Sequence, residues 1–438
     1  MKAIITFSIP LMLSTMLQLL FNAADIIVVG KFAGDNALAA VSSTTSLVCL
    51  IVNLFTGLAI GVNFIVARYI GEGNIKGISD VVHTSIAFSI IVGVFLAIFG
   101  FFISKPALQI MESPAEIIDL STTYLQIYFM GSPAVLIYNY GAAILRSKGD
   151  TQRPLVFLLI SGVLNVVLNL IFVIIFNMSV SGVALATIIS SYVSAILIIM
   201  ALYSETQYFS FSMKSLKIDK DSLLSILKYG LPAGIQNCLF SLANTVIQST
   251  VNGFGAIVIA GNGAASNIES FINAVTGAFS SAAITFTSQN VGARKYNRLK
   301  KIFFYTNIAS GIIIALIATL VFFAGDKLLM LYTNDVNVVT EGLVKLQMIA
   351  YTYILFSIMQ MAIGVVRGLG YSLVPTIISL VGVCGLRLVY IATLYQNYQT
   401  PFALYLCYPI SWGVTGFIVT IMMFILLRKD KNKIINGE

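Results

Sequence analysis

Asp25 is an acid within residues 4–29, a stretch that otherwise reads as a membrane helix. An ionised carboxylate at the centre of a bilayer costs at least about 2.5–3.5 kcal/mol, so acids placed there usually mark ion or substrate sites. Counting back from Asp25, the polar residues are Asn22, Gln18 and Ser14. Steps of three, four and four put all of them on one helical face. Such a stripe suits a helix that lines a watered cavity. The alternative is a structural acid paired inside a helix bundle.

The stripe recurs. Residues 223–252 carry Asn237, Ser241, Asn244 and Gln248, spaced four, three and four, without the acid. Residues 256–288 carry Asn262, Ser266, Glu269, Asn273, Thr276 and Ser280, and residues 37–69 carry Ser42, Ser46, Asn53, Thr56 and Asn63. Single Ser and Thr residues can simply join helices. Long stripes in related places predict a shared aqueous interior, with Gln18, Asn22, Asn53, Asn244, Gln248 and Asn273 lining it. Two further intramembrane charges, Glu269 and Arg387, are expected to pair with each other, because an isolated charge there is costly.

The elements that hold these residues follow from composition. Of 438 residues, 58% are hydrophobic and only 10% charged, with mean hydropathy +0.95. Soluble chains carry about 25% charged residues. The chain therefore reads as an all-α polytopic membrane protein, whose helices satisfy their own backbone hydrogen bonds in lipid. Twelve spans are predicted, at 4–29, 37–69, 78–103, 116–145, 154–176, 182–203, 223–252, 256–288, 301–324, 337–366, 374–396 and 402–427. The first apolar run lacks a cleavage pattern and is expected to remain in the mature protein. Cys49, Cys238, Cys384 and Cys407 all fall within spans, without metal spacing, and no disulfide is expected. The single histidine, His83, suits interfacial packing. No paired histidines, metal cluster or nucleophile with a base is present, which argues against an enzyme.

Lys and Arg crowd the even-numbered turns and both termini, while the opposite side holds Lys31, Lys105, Lys327 and Lys345. Positive charge marks the cytoplasmic side. Both termini are thus expected to be cytoplasmic, in the inner (plasma) membrane, and the net charge of +8 is topological, with no nucleic-acid partner implied.

The halves resemble each other at a spacing of 221 residues: Gly34 with Gly255, Ala39 with Ala260, and LRSKGDTQRP (145–154) with VRGLGYSLVP (366–375). Pro10 and Asn22 meet Pro232 and Asn244 one residue off that spacing. Six spans per half give both halves the same orientation, hence parallel repeats. The expected division is an N-terminal lobe at 1–203, a cytoplasmic linker at 204–222, a C-terminal lobe at 223–427 and a basic tail at 428–438. Asp25, Asn169 and Thr187 each lie a few residues from the outer ends of their spans, and so in one outer layer of the N-terminal lobe.

ADIIVVGKFAGDNALAA, LRSKGDTQRP, NVVLNLIF, GVALAT and SQNVGA, in this order on twelve spans, resemble the multidrug and toxic compound extrusion (MATE) family across nearly the whole chain. That resemblance implies two six-helix bundles around a V-shaped central cavity, and export of small organic, often cationic and amphipathic compounds in exchange for Na⁺ or H⁺, without a cofactor. It places Asp25 on the family's first-helix acid, Asn165 on a nearby fifth-helix polar position and Thr187 in the same network. Many relatives carry an acid where this chain has Asn169. An amide can coordinate Na⁺ but cannot titrate, which makes Glu269 a candidate second acid. A lipid-linked saccharide flippase of the same superfamily is the rival reading; a channel or an intramembrane enzyme is more remote. Nothing in the sequence signals an oligomer, and a monomer is expected.

Overall fold

A computed structural model describes residues 1–435. The side chains of Ser46, Cys49, Leu50, Ile51 and 431–435 lie outside the described residues, among them Ser46 of the 37–69 stripe, Cys49, and the tail charges Lys431 and Lys433.

The first half runs α1 (Lys2–Phe32), α2 (Asp35–Glu72), α3 (Ile75–Ile110), α4 (Ile118–Met130), α5 (Ser132–Ser147), α6 (Gln152–Leu170) and α7 (Ser179–Tyr203). The second runs α8 (Lys220–Asn252), α9 (Ala256–Gly292), α10 (Leu299–Met330), α11 (Val336–Gly368), α12 (Leu373–Ser379), α13 (Leu386–Ala392), α14 (Pro401–Tyr405) and α15 (Cys407–Ile435). Two expected spans are interrupted. The fourth breaks at Gly131, followed by Pro133 in the first turn of α5. The eleventh is divided by a π turn, Leu380–Gly385, between α12 and α13. A second π turn, Ile171–Ile175, extends α6.

Among the described residues, nine helices are long and apolar enough to cross a membrane by length and composition. The expected fourth, seventh and eighth spans are outside that set. The fourth is split into two short helices, and α8 and α9 carry the polar stripes that lower their hydropathy. Large apolar side chains face outward while polar groups are buried beside an apolar core: Phe102 and Phe323 are 73% and 78% exposed, whereas Asn169 is 0% exposed. That arrangement suits a hydrocarbon solvent.

The repeat reappears in backbone geometry. Gly34 and Gly255 have φ of 88° and 93°, and Gly149 and Gly370 have φ of 99° and 101°. Each pair makes the same left-handed turn in both halves, a conformation that glycine adopts without a Cβ clash.

Two compact units divide the chain elsewhere than at the 204–222 linker: Leu13–Leu231, and Met1–Met12 with the residues from Pro232 onward. The divisions fall inside α1 and α8, next to Pro10 and at Pro232. A proline inside a helix removes a backbone hydrogen bond and permits a change of direction. In the first unit (Leu13–Leu231), the start of α8 packs on α2: Tyr229 lies 4.5 Å from Phe64, and a Cβ on Gly61 would stand 2.7 Å from the backbone nitrogen of Gly230. In the second, Phe7 meets Phe286 edge-on at 5.4 Å.

The linker is docked onto the first unit. Phe211 stacks on His83 at 5.3 Å and meets Tyr203 edge-on. His83 Nε2 accepts from the Ser212 amide at 3.3 Å, and Thr84 Oγ1 accepts from the Asp219 amide at 3.0 Å. Just after α7, Glu205 pairs with Lys148 and Arg153 from the α5–α6 turn and accepts from the Gln207 amide. Burial alone pushes the Glu205 carboxyl up, but the hydrogen bond and charge of Lys148, with Gln207 and Arg153, hold it below the usual range.

Two predictions follow from this packing. Gly261 of α9 approaches α11 so closely that a Cβ would stand 2.7 Å from the Gly342 nitrogen, whereas a Cβ on Gly263 meets nothing within 4 Å. Gly261→Ala should destabilise by about 1–3 kcal/mol by overpacking and Gly263→Ala should not, as read by thermal unfolding in detergent. For Glu205, a depressed folded pKa means stability that is present above the unfolded value, about 4.3, and is lost as pH falls through the folded value. The unfolding temperature of the wild type should therefore fall more steeply below about pH 4.3 than that of Glu205→Gln.

Candidate functional site

In the first unit, α1, α6 and α7 bring four predicted residues into one hydrogen-bonded chain. Asn169 Nδ2 donates to Asp25 Oδ1 and, at 3.3 Å, to Asn165 Oδ1. Asn165 Nδ2 donates to Thr187 Oγ1 at 3.3 Å, and Thr187 donates to the Val183 carbonyl at 2.9 Å. Asn165 and Asn169 are one turn apart on α6, directly before the π turn. Both amide protons of Asn169 are thus committed, while its buried Oδ1 has no hydrogen-bond partner among the described residues. Asp25 is half-buried and forms no ion pair among the described residues.

Asp25, Asn165 and Thr187 line a cavity of about 160 Å³ that also takes Gln18 and Asn22 from α1. Asn139 of α5 and Ser190, Ser191 and Ser194 of α7 line it too. Sequence reasoning missed this serine wall, although its members lie on one face of α7. Asn53, half-buried on α2, does not line this cavity.

The second unit has its own cavity, of about 270 Å³, lined by Asn244 and Gln248 of α8, Asn262, Glu269 and Asn273 of α9, and Lys345 of α11, among others. The expected Glu269–Arg387 pair does not form among the described residues. Glu269 instead pairs with Lys345 at 3.1 Å and accepts from Tyr353 Oη at 2.7 Å. Lys345 Nζ also donates to Ser266 Oγ at 2.5 Å. Arg387 is buried against neutral groups: Nε donates to Ser411 at 3.1 Å and Nη1 to Asn244 Oδ1 at 3.0 Å. Its guanidinium lies 4.4 Å from the Tyr408 ring centre and 5.9 Å from that of Trp412.

The MatE family profile matches this chain twice, over residues 10–171 and 232–393. The chain belongs to the MatE family. The two MatE matches are offset by 222 residues, in keeping with the internal repeat, and the fold is the family's pair of six-helix bundles. This MatE protein is a multi-pass membrane transporter that handles small molecules, not an enzyme. Among its relatives, "Probable multidrug resistance protein YoeA" of Bacillus subtilis (strain 168) is 26% identical over 94% of this chain and 91% of its own. "Probable multidrug resistance protein YpnP" of the same organism is 29% identical over 88% and 86%. Similar solved structures include a multidrug resistance MATE family transporter of the MOP superfamily, with TM-score 0.91, 23% identity and coverage of 98% and 96%. Another is a MOP superfamily transporter from Pyrococcus furiosus described as having a binding pocket of reverse polarity, with TM-score 0.90, 24% identity and the same coverage.

Within this MatE chain, Lys345, expected among the charges of the outer side, is buried inside α11. It lies nine residues into α11, about 13 Å along the axis at 1.5 Å per residue. The available signal was its register with Gly342, Ile349 and Tyr353, all buried on one face. A lysine there, only 4% exposed, needs an anion, and Glu269 supplies it.

Removing one partner of a buried pair leaves the other charge uncompensated, at a cost of about 3–5 kcal/mol. Lys345→Gln should therefore lower stability markedly, and Lys345→Gln/Glu269→Gln should recover most of the loss. A double-mutant cycle on unfolding checks this coupling; Glu269→Gln and Arg387→Gln should show far less coupling.

Proposed function

We propose that this protein is a monomeric antiporter of the cell (plasma) membrane, with both termini cytoplasmic. It exports small organic compounds, cationic and amphipathic in kind, in exchange for Na⁺ or H⁺ by alternating access, without a cofactor. The observation that carries the reading is Asp25: an intramembrane carboxyl, with no cationic partner among the described residues, held by Asn169 at a polar cavity. The names of the relatives, multidrug resistance and multidrug export proteins, support export of drug-like compounds.

The chemistry is competition for one carboxyl. When ionised, Asp25 attracts a cationic cargo or Na⁺. The unpartnered Asn169 Oδ1 supplies a second oxygen for Na⁺. If a proton binds instead, rotation of the same amide turns Oδ1 toward the protonated carboxyl as an acceptor. Either ion cancels the attraction for the cargo. Exchange then requires that ion and cargo prefer different conformations, since equal affinity shifts no equilibrium.

The flippase reading has one observation in its favour, the buried cations Lys345, Arg367 and Arg387 in the second unit. An assay of lipid-linked phosphate translocation tests it separately.

Export of ethidium from proteoliposomes, under Na⁺ and pH gradients imposed in turn, tests the proposal. The wild type should export under one of these gradients. Asp25→Asn should insert and fold but lose gradient-driven export. Full export by that variant would remove Asp25 from the mechanism.

A further inference from the structure

We infer that the cavity of the second unit binds a small organic anion, an aromatic carboxylate or a comparable single-ring acid. Glu269 is the acid lining this cavity, and both its oxygens are engaged, one by Lys345 and the other by Tyr353. The pair neutralises itself. Arg387, 4% exposed, has no carboxylate within 4.0 Å among the described residues. Arg367 is likewise buried and bonds to neutral Gln236, but Arg387 is the cation bonded to a lining residue of this cavity, so a positive charge with no carboxylate beside it stands behind the polar wall. An unbalanced buried cation is expensive in a low-dielectric setting, and an anion in the adjacent cavity would balance it.

The hydrogen bonds point the same way. Arg387 takes Oδ1 of Asn244, and Asn244 itself lines the cavity. The guanidinium therefore fixes the amide so that Nδ2, a donor, is left for a ligand. Lys345 and Tyr408 add donors to the lining. Tyr408 is also the ring on which Arg387 lies, and it joins an aromatic cluster with Trp412, Tyr353 and Phe356 at centroid distances of 5.0–5.4 Å. A volume of about 270 Å³ accommodates a single aromatic ring with its acid group. The first unit offers the opposite polarity, with Asp25 in its cavity and no cation paired to it. Asn22 and Asn244 are repeat-related, but one neighbours an acid and the other binds an arginine.

The inference goes beyond export of cations, and its readout is binding alone, so it can fail while the antiporter reading stands. Trp412 is the single tryptophan of the chain and is 3% exposed within the cluster. Its ring lies 5.4 Å from that of Tyr408, a lining residue, so its emission reports on a ligand in this cavity. The full chain, in phosphatidylcholine nanodiscs, would be titrated with para-nitrobenzoate and with the uncharged para-nitrobenzamide. Saturable quenching should be at least about tenfold tighter for the acid, in line with a charge-assisted hydrogen bond. Arg387→Gln and Asn244→Leu should each weaken it by about tenfold; the second variant changes a residue exposed on the cavity and keeps the test valid if the first misfolds. Glu269→Gln should tighten it, a direction that general structural damage does not produce. Equal quenching by acid and amide, unchanged affinity in Asn244→Leu, or weaker binding in folded Glu269→Gln would overturn the inference. So would a response to phosphatidylglycerol in the disc with none to para-nitrobenzoate, which would assign the anion to lipid.

Discussion

Hydrocarbon cannot solvate a polar group, so each polar atom inside a span must find its partner within the protein. The rest of the molecule follows from that constraint. The surface is built from exposed Phe, Leu and Ile, and the interior places Asn, Ser, Thr and a few charges within a core of Val, Ala, Ile and Leu. The two cavities lie where polar stripes of neighbouring helices face one another. Asp25 is tolerable because Asn169 hydrogen-bonds it, and Asn169 is held in turn through Asn165 and Thr187. Lys345 is tolerable because Glu269 and Ser266 meet it. In each lobe a π turn adjoins a key residue, after Asn169 and before Arg387. Such turns re-aim side chains and are frequent at functional sites.

The duplication kept geometry and released chemistry. Left-handed glycines at 34 and 255, and at 149 and 370, repeat the same turns. Pro10 and Pro232 mark the places where α1 and α8 pass from one compact unit to the other. Asn22 and Asn244 are likewise retained. At the same offset, however, Asp25 meets Ile247, and the second lobe has acquired Lys345, Glu269 and Arg387 instead. One scaffold thus carries an acidic cavity in one copy and a cavity backed by net positive charge in the other.

The linker has a structural role beyond joining two halves. Phe209 and Phe211 are buried, and His83, Thr84 and Tyr203 bind its backbone or its rings. Its start is tied to the α5–α6 turn by Glu205. These contacts make it part of the first compact unit, which is why the chain divides at Pro232 and not within the polar segment.

Local sequence determined the helical spans, the repeat and the helical face that bears Asp25, because each depends on near-neighbour periodicity. The resemblance of its motifs added Asn165 and Thr187, and the structure joins both to Asp25 through Asn169. Pairing across the bundle was a tertiary decision. Glu269 and Arg387 are the intramembrane charges that the sequence places in the second half, and a mutual pair is the simplest expectation. The fold instead aligns α9 with α11, giving Glu269 to Lys345, and leaves Arg387 to Asn244, Ser411 and an aromatic face. Which helix faces which is set by close glycine contacts, such as Gly261 on Gly342, between residues far apart in the chain. Periodicity within one helix carries no information about the rotation of its neighbour, so only packing could decide the partners.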